Sequence, residues 1–511
     1  MKRLILSVSL LVVSMTLAAQ DAVVKKIIEI GKTNNQTTEH LYTLTSRFGG
    51  RTIGSDAYDN AADWVAYEFK KWGLEVSMEE AGELPVGFNR GKWSGRLLGD
   101  TPMNLHFVTP AYTSGTRGAQ KGHVLIEPQS TAEFEMMKHK LKGAWVLVGG
   151  KSSGWPANMA FMNDSLRKEC IPKSDSVVVI NREIEESNYV NKTNNPTLVR
   201  SVIPGLFYNE MVDAGILGVI QSADVPLRSL FDRKLVDDPT MTFEKLPTTA
   251  DIKLDSHQYD IIHQMVEERR SFELEFDIRN NFKLGPVKYC NVVGKIKGSK
   301  YPDEYVMVSG HLDALDSGTG AVDCGAGVTP AMEAARMLMA AGARPERSII
   351  FVMFAGEEFG LLGAEAWCKR HKAELPKISN LFNRDGGPTP PVGISVPKSM
   401  LKEFEKVCEP ISSIRSDIPF KVSVLEPYDK PTTTGGTDAT VFQVAGVPAI
   451  GLKTKDVLGY NFSYNEIWHT ENDIFNKSIP EYQEHTATVT AIIALGVANM
   501  SKLLPRAEIY K

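Results

Sequence analysis

The sequence predicts an α/β protein: a mixed, largely parallel sheet flanked by helices and interrupted by an inserted β-rich module. Three observations carry that expectation. Beyond about residue 284, apolar strand-like runs alternate with helical ones. Between residues 110 and 277, short apolar runs are separated by Gly, Ser, Asn and Pro. Polar residues that can hold a metal recur just after the strand runs of the last part. The chain has 511 residues, 42% hydrophobic and 23% charged, which is globular composition. At about 150 residues per domain, that length suits two or three domains. A net charge of −5 gives no electrostatic ground for a nucleic-acid partner or an anionic membrane surface. The five cysteines are scattered without a Cys-x-x-Cys pair, so neither a disulfide framework nor a thiolate zinc site is expected.

In chain order, Met1-Lys2-Arg3, an apolar run to Leu17 and the small residues Ala18-Ala19 read as a secretory signal over residues 1–20. The apolar run is about 14 residues, too short for a stable anchor across a bilayer. No later segment is long and apolar enough for a membrane span, so an exported protein, periplasmic or secreted, is expected. Residues 21–109 form the first part of the main domain. Its run 61–69 repeats apolar residues at helical spacing, and Gly73 is a helix stop before an extended 74–76. The insert, 110–277, carries strand-like runs at 123–126, 144–148 and 177–180, then a helix end and strand within 211–221. Residues 278–511 complete the main domain. Strands are expected at 305–309, 348–354, 378–382 and 447–452, with helices at 327–339, 361–372 and 482–503.

In such a sheet, chemistry collects beyond the carboxyl ends of the strands. The first of these strands ends in Gly310-His311-Leu312-Asp313, the second in Ala355-Gly356-Glu357-Glu358 and the third in Arg384-Asp385. Asp323 lies in a tight loop entering a helix, and His469 in a late loop, Trp468 to Asp473. Imidazole and carboxylate without thiolate suit zinc and related divalent ions. Five ligands are too many for one tetrahedral ion but suit two ions about 3.5–4 Å apart sharing a carboxylate. The expected ligands are therefore His311, Asp323, Glu358, Asp385 and His469. Two dications against three carboxylates leave positive charge that favours a shared hydroxide. Glu357, beside a ligand, is placed to move a proton from that water to a leaving amine. Asp313 is expected to accept the other ring N–H of His311 and set its tautomer. The remaining histidines are read as structural. Gly150-Lys151-Ser152-Ser153-Gly154 fits a Gly-x-Ser-x-Gly pattern, but the Trp155-Pro156 that follows does not open an elbow helix, so it is read as a turn.

These residues together resemble the M28 family of co-catalytic zinc peptidases. The segments Gly298 to Pro302, Val308 to Asp313, Gly436-Thr437-Asp438 and Ala445 to Pro448 are similar to its carboxypeptidase Q branch. Gly49 to Ser55 matches the family's opening, and the insert resembles a protease-associated domain. The resemblance implies a zinc-exopeptidase fold, two zinc ions and hydrolysis of dipeptides or short peptides with free termini. His311 and Asp385 would be terminal ligands, either of different ions or, in the pairing usual in the family, of one ion with Glu358 and His469 on the other. Asp323 would bridge and Glu357 would be the general base. Cys324 departs from the acidic or amide residue many relatives carry there. The branch also hints at a homodimer. Segments 432–437 and 460–468 are candidates for a substrate pocket, with turn structure the simpler reading. Two alternatives stay open at this stage: a single-zinc acyltransferase like the glutaminyl cyclases, and a non-catalytic peptide-binding relative.

Overall fold

A computed structural model describes residues 20–161 and 163–511. The expected signal, residues 1–20, lies outside the described residues except for Gln20, where a helix running to residue 33 is already formed. Among the described residues, no helix is long and apolar enough to cross a membrane.

The chain divides into two compact units. One consists of the chain up to Leu84, Pro286–Trp468 and Asn472–Lys511; the other of Pro85–Gly285 with His469–Glu471. The second unit therefore begins at Pro85 rather than at residue 110 and ends at Gly285 rather than at 277. The sequence hides these boundaries because each falls inside one continuous strand of 24 residues, β1 (Glu75–Leu98) or β2 (Glu273–Ile296).

In the first unit, α1 (Asp56–Trp72) opens with Ser55, whose side chain accepts the Tyr58 N–H, and ends at Gly73 with φ of 91°. The sheet is built on β3 (Tyr301–His311), paired in parallel with both β4 (Arg347–Phe354) and β5 (Ile378–Asn383). The carboxyl half of β2 pairs antiparallel with β4. The period of two sends Tyr305, Met307, Ile350, Val352 and Phe354 to one face, where Trp367 and Phe442 cover them. On the other face Phe351 meets Phe69 of α1, with ring centroids 6.2 Å apart. Burial on both faces is what reads in the sequence as unbroken apolar runs. Helices α2 (Gly325–Ala340) and α3 (Pro480–Ala498) pack together and are almost wholly buried. Residues 447–452 are not a strand. Pro448 has no N–H for a ladder; the Leu381 N–H donates to its carbonyl, and the Asn380 side chain bonds both the N–H and the carbonyl of Ile450.

The second unit is less β-rich than expected. Its five-stranded sheet runs Phe107–Val108, Ala250–Asp255, Gly218–Ala223, Trp145–Lys151, Val124–Ile126, and all but the first pair are parallel. Helices Thr131–Leu141, Asp164–Asn191 and Ser256–Glu267 accompany it. Residues 177–180, read as a strand, lie inside the helix Asp164–Asn191. Val179 and Ile180 are exposed there, so no sheet neighbour exists to reward their β-branched side chains. The helix starts where Asn163 accepts the Leu166 N–H at 3.1 Å. The Gly-x-Ser-x-Gly segment is the end of the strand Trp145–Lys151 and the irregular stretch after it, with Gly150 and Gly154 both at positive φ.

Candidate metal centre

Parallel register sets the site. His311 on β3 lies beside Phe354 on β4, and Ser309 beside Asn383 on β5. The chain leaving these strands therefore delivers His311, the Glu357–Glu358 pair and Asp385 to one edge. Gly310 allows a close approach here: a Cβ would lie 3.0 Å from the backbone of Gly327 and Val328. That close approach seats the start of α2, and with it the Asp323 loop, over the same edge.

His311 is buried, and its Nε2 lies 3.2 Å from Asp323 Oδ1, 3.2 Å from Asp385 Oδ1 and 4.0 Å from Glu357 Oε2. Donor atoms of His311, Asp323 and Glu358 lie within 4.8 Å of one another, as do those of His311, Cys324 and Asp385. Burial would depress the His311 pKa, but Cys324, Asp385 and Glu357 carry it well above the usual value. Burial raises Asp385, with Asp323 adding to the effect. Burial, reinforced by Asp385, Asp438 and Glu358, raises Glu357 above the usual carboxylate range. Carboxylates crowded around one imidazole in a low-dielectric pocket are a site built for cations. The donor set of imidazole and carboxylate fits zinc.

The residues behind the donors differ in part from expectation. Asp313 is fully buried, but its carboxylate is not the partner of His311: Nδ1 lies 2.9 Å from the Asp313 carbonyl and 3.8 Å from Oδ1. Two residues along an extended chain, the backbone oxygen reaches the ring first. The carboxylate turns instead to the next strand end, accepting the N–H groups of Glu357 at 3.2 Å and Glu358 at 3.3 Å. Cys324 is buried, its Sγ donates to the Arg384 carbonyl at 3.1 Å, and burial pushes its thiol up to about 11.

Three supports were not foreseen. Asp473 accepts the N–H groups of Val322 at 2.7 Å and Asp323 at 3.1 Å, pinning the Asp323 loop. Ser309 donates to Asn383 at 2.6 Å and Asn383 to Thr437 Oγ1 at 2.7 Å, and the Thr437 hydroxyl hydrogen-bonds Asp385. Arg51, fully buried, donates to the carbonyls of Leu312, Gly49, Thr319 and Gly320 at 2.7–3.1 Å. Arg51, Ser309 and Thr437 lay in segments similar to the family and Asp473 closed the late loop that bears His469, whereas Asn383 carried no signal. Asp438 is also fully buried, and neither of its carboxylate oxygens has a hydrogen-bond partner among the described residues.

His311, Asp313, Asp323, Glu357, Glu358 and Asp385 thus gather in the first unit. His469 belongs by its contacts to the second unit and joins neither donor cluster among the described residues. Of the pocket candidates, Thr437 reaches Asp385, and the Tyr464 hydroxyl lies 3.5 Å from the Asp385 carbonyl. Other histidines are structural: His40 pairs with Glu333 at 3.3 Å, and burial lowers His485 to about 4.

The strand ends of this zinc-exopeptidase-like fold gather an imidazole, carboxylate donors and an adjacent glutamate. Residues 291–493 match the model of peptidase family M28, and over most of its length the chain is similar to carboxypeptidase Q proteins. It is 33% identical over 238 residues to carboxypeptidase Q of Rattus norvegicus, covering 44% of this chain and 46% of the relative. The chain thus matches about half the length of that protein. Over longer stretches it is 24% identical to carboxypeptidase Q of Xenopus laevis, covering 95% and 91% of the two chains. The human protein is 25% identical, with 95% and 90% covered. The crystal structure of a peptidase M28 precursor from Shewanella amazonensis shares the fold, with a TM-score of 0.59, 20% identity and 96% and 98% of the chains covered. So does a zinc aminopeptidase from Bacillus subtilis, at a TM-score of 0.52, 14% identity and 93% and 97% coverage.

Proposed function

We propose that this protein is an exported exopeptidase that hydrolyses dipeptides or short peptides at a site for two divalent ions, zinc by its donor set. The observation that carries this reading is the convergence of Asp323 and Asp385 on one His311 nitrogen beside Glu357 and Glu358. His311 and Asp385 would hold one ion, Glu358 and His469 the other, and Asp323 both. When bound, the ions would supply Lewis acidity toward the scissile carbonyl and make water acidic enough to attack near neutral pH.

The chain's own groups do the rest. The Asp313 carbonyl holds the proton on His311 Nδ1, which leaves Nε2 as the ligating nitrogen. Asp313 fixes the backbone of the glutamate pair, so that Glu357 faces the site while its neighbour ligates. Glu357, whose carboxylate stands 4.0 Å from His311 Nε2, takes a proton from the attacking water and passes it to the leaving nitrogen. The signal-like composition of residues 1–20 supports export.

The test is metal analysis of the mature protein combined with a dipeptide-library assay, with and without a chelator. The reading expects about two metal ions per chain and activity lost to chelation and restored by Zn²⁺. A ratio near one would favour single-ion chemistry instead, and chelator-insensitive turnover would overturn the metal mechanism.

A further inference from the structure

Cys324 is a buried group that the peptidase mechanism leaves unused, and the first unit packs it against donors of the metal centre. Its backbone is fixed at the start of α2, where its carbonyl accepts the N–H groups of Gly327 at 2.9 Å and Val328 at 3.0 Å. Its Sγ reaches the chain just beyond β5, donating to the Arg384 carbonyl at 3.1 Å. Arg384 fastens these two segments together: its N–H donates to the Ser309 carbonyl at 2.9 Å and its Nε to the Ala326 carbonyl at 3.1 Å. Gly327 leaves room for the sulfur, since a Cβ there would lie 2.5 Å from Sγ. Asp385 follows Arg384, so the thiol stands beside a metal donor.

Sγ, a carboxylate oxygen of Asp385 and a ring nitrogen of His311 all lie within 4.8 Å of one another. All three residues belong to the first unit. Donors about 2.0–2.3 Å from a tetrahedral ion stand about 3.3–3.8 Å apart. His311 Nε2 and Asp385 Oδ1, at 3.2 Å, are close to that spacing. The sulfur therefore stands no more than about 1.5 Å outside ligating distance. A thiol that ligates exchanges its proton for the ion, and the proton leaves to solvent. Sγ then gives up its bond to the Arg384 carbonyl, and the start of α2 favours the thiolate, as helix N-termini do.

We propose that Cys324 is a ligand of the ion that His311 and Asp385 hold, which gives this position nitrogen, oxygen and sulfur donors and a preference for thiophilic ions such as Cd²⁺. The proposal rests on the reading of His311 and Asp385 as ligands of one ion, and it names the class of ion that this position selects. Thiolate selects soft ions, whereas carboxylate oxygen suits harder ones. Cysteine spacing along the chain hides such a site, because the other two donors come from the ends of strands remote in sequence.

The experiment loads the mature, full-length protein with Co²⁺ or Cd²⁺, measures the bound metal, and records ultraviolet absorption. A thiolate bound to either ion gives an intense charge-transfer band that a free thiol or a carboxylate ligand does not. Wild type is expected to show the band. Cys324→Ser and Cys324→Ala are expected to lose it, although Cys170, Cys290, Cys368 and Cys408 remain. In competition titrations, Cys324→Ser should weaken Cd²⁺ relative to Zn²⁺ by about tenfold or more, since removing even a group behind a ligand has effects of that size. Metal-loaded wild type without the band, a band that survives in Cys324→Ser, or an unchanged Cd²⁺ preference there would overturn the proposal. The wild-type spectrum carries the test even where a substitution prevents folding. His311→Ala separates the two readings: it is expected to lose ion and band together. An unchanged band in His311→Ala would overturn His311 as a ligand, with Cys324 still bound to metal.

Discussion

Replacing Asp313 by alanine separates the two jobs this residue performs. Its carbonyl, which receives His311 Nδ1 at 2.9 Å, survives the substitution. Its carboxylate, which receives the Glu357 and Glu358 N–H groups at 3.2 and 3.3 Å, does not. Each buried N–H left without an acceptor costs about 1–3 kcal/mol, so the loss is about 2–6 kcal/mol. Against this stands relief of a buried charge. Burial raises Asp313 from 3.8 to about 6, which at 1.36 kcal/mol per pH unit corresponds to about 3 kcal/mol of destabilised carboxylate. The net expectation lies between a gain of about 1 kcal/mol and a loss of about 3 kcal/mol, read from urea unfolding of the metal-free protein. Asp313→Asn keeps one acceptor and also removes the charge, so its stability should stay closer to wild type. In both variants kcat should fall about 10- to 100-fold, because the glutamate pair loses its alignment while His311 keeps its partner. Wild-type kcat in Asp313→Ala would refute this division of labour.

Glu357→Gln should lower kcat about 10²- to 10⁴-fold with zinc content unchanged, measured by dipeptide turnover and metal analysis; undiminished turnover would remove Glu357 from the mechanism. Gly327→Ala should destabilise the first unit by about 1–3 kcal/mol or more, since its Cβ would lie 2.1 Å from the Arg384 carbonyl and 2.5 Å from Cys324 Sγ; an unchanged melting temperature would contradict this packing. In the second unit, burial raises Glu127 from 4.5 to about 8, against two backbone N–H bonds of 2.7 Å that oppose the shift. Folded Glu127 binds its proton more tightly than the unfolded chain does. Its contribution is therefore complete below about pH 4.5 and is lost as pH rises through 8, by up to roughly 5 kcal/mol. Urea midpoints measured from pH 5 to 8 should fall, and Glu127→Gln should flatten the slope; an equal slope in the variant would assign the dependence to other groups.

Much of the first unit was legible because its determinants are local. Unbroken apolar runs such as 348–354 mark strands buried on both faces, and Gly73 marks a helix end by its positive φ. Parallel strands must end at one edge, so His311, Glu357, Glu358 and Asp385 could be placed together from their positions after the runs. Residues 177–180 misled because β-branched side chains report a half-buried surface, not a backbone preference; with no strand beside them, the capped helix prevails. The unit boundaries at Leu84 and Gly285 left no mark because a strand crosses each of them unbroken.

The sequence by itself determined which imidazole and carboxylate side chains follow the strands of one sheet. Only the tertiary structure decided how each is held. It gave the His311 ring to the Asp313 carbonyl instead of the carboxylate, pinned the Asp323 loop to Asp473 from 150 residues away, and placed His469 in the unit of residues that precede it by hundreds of positions. The reason is physical. Residue type and period act over a few neighbours and are written along the chain. The choice among hydrogen-bond partners depends on distances of a few tenths of an ångström, and these are set only when segments remote in sequence pack.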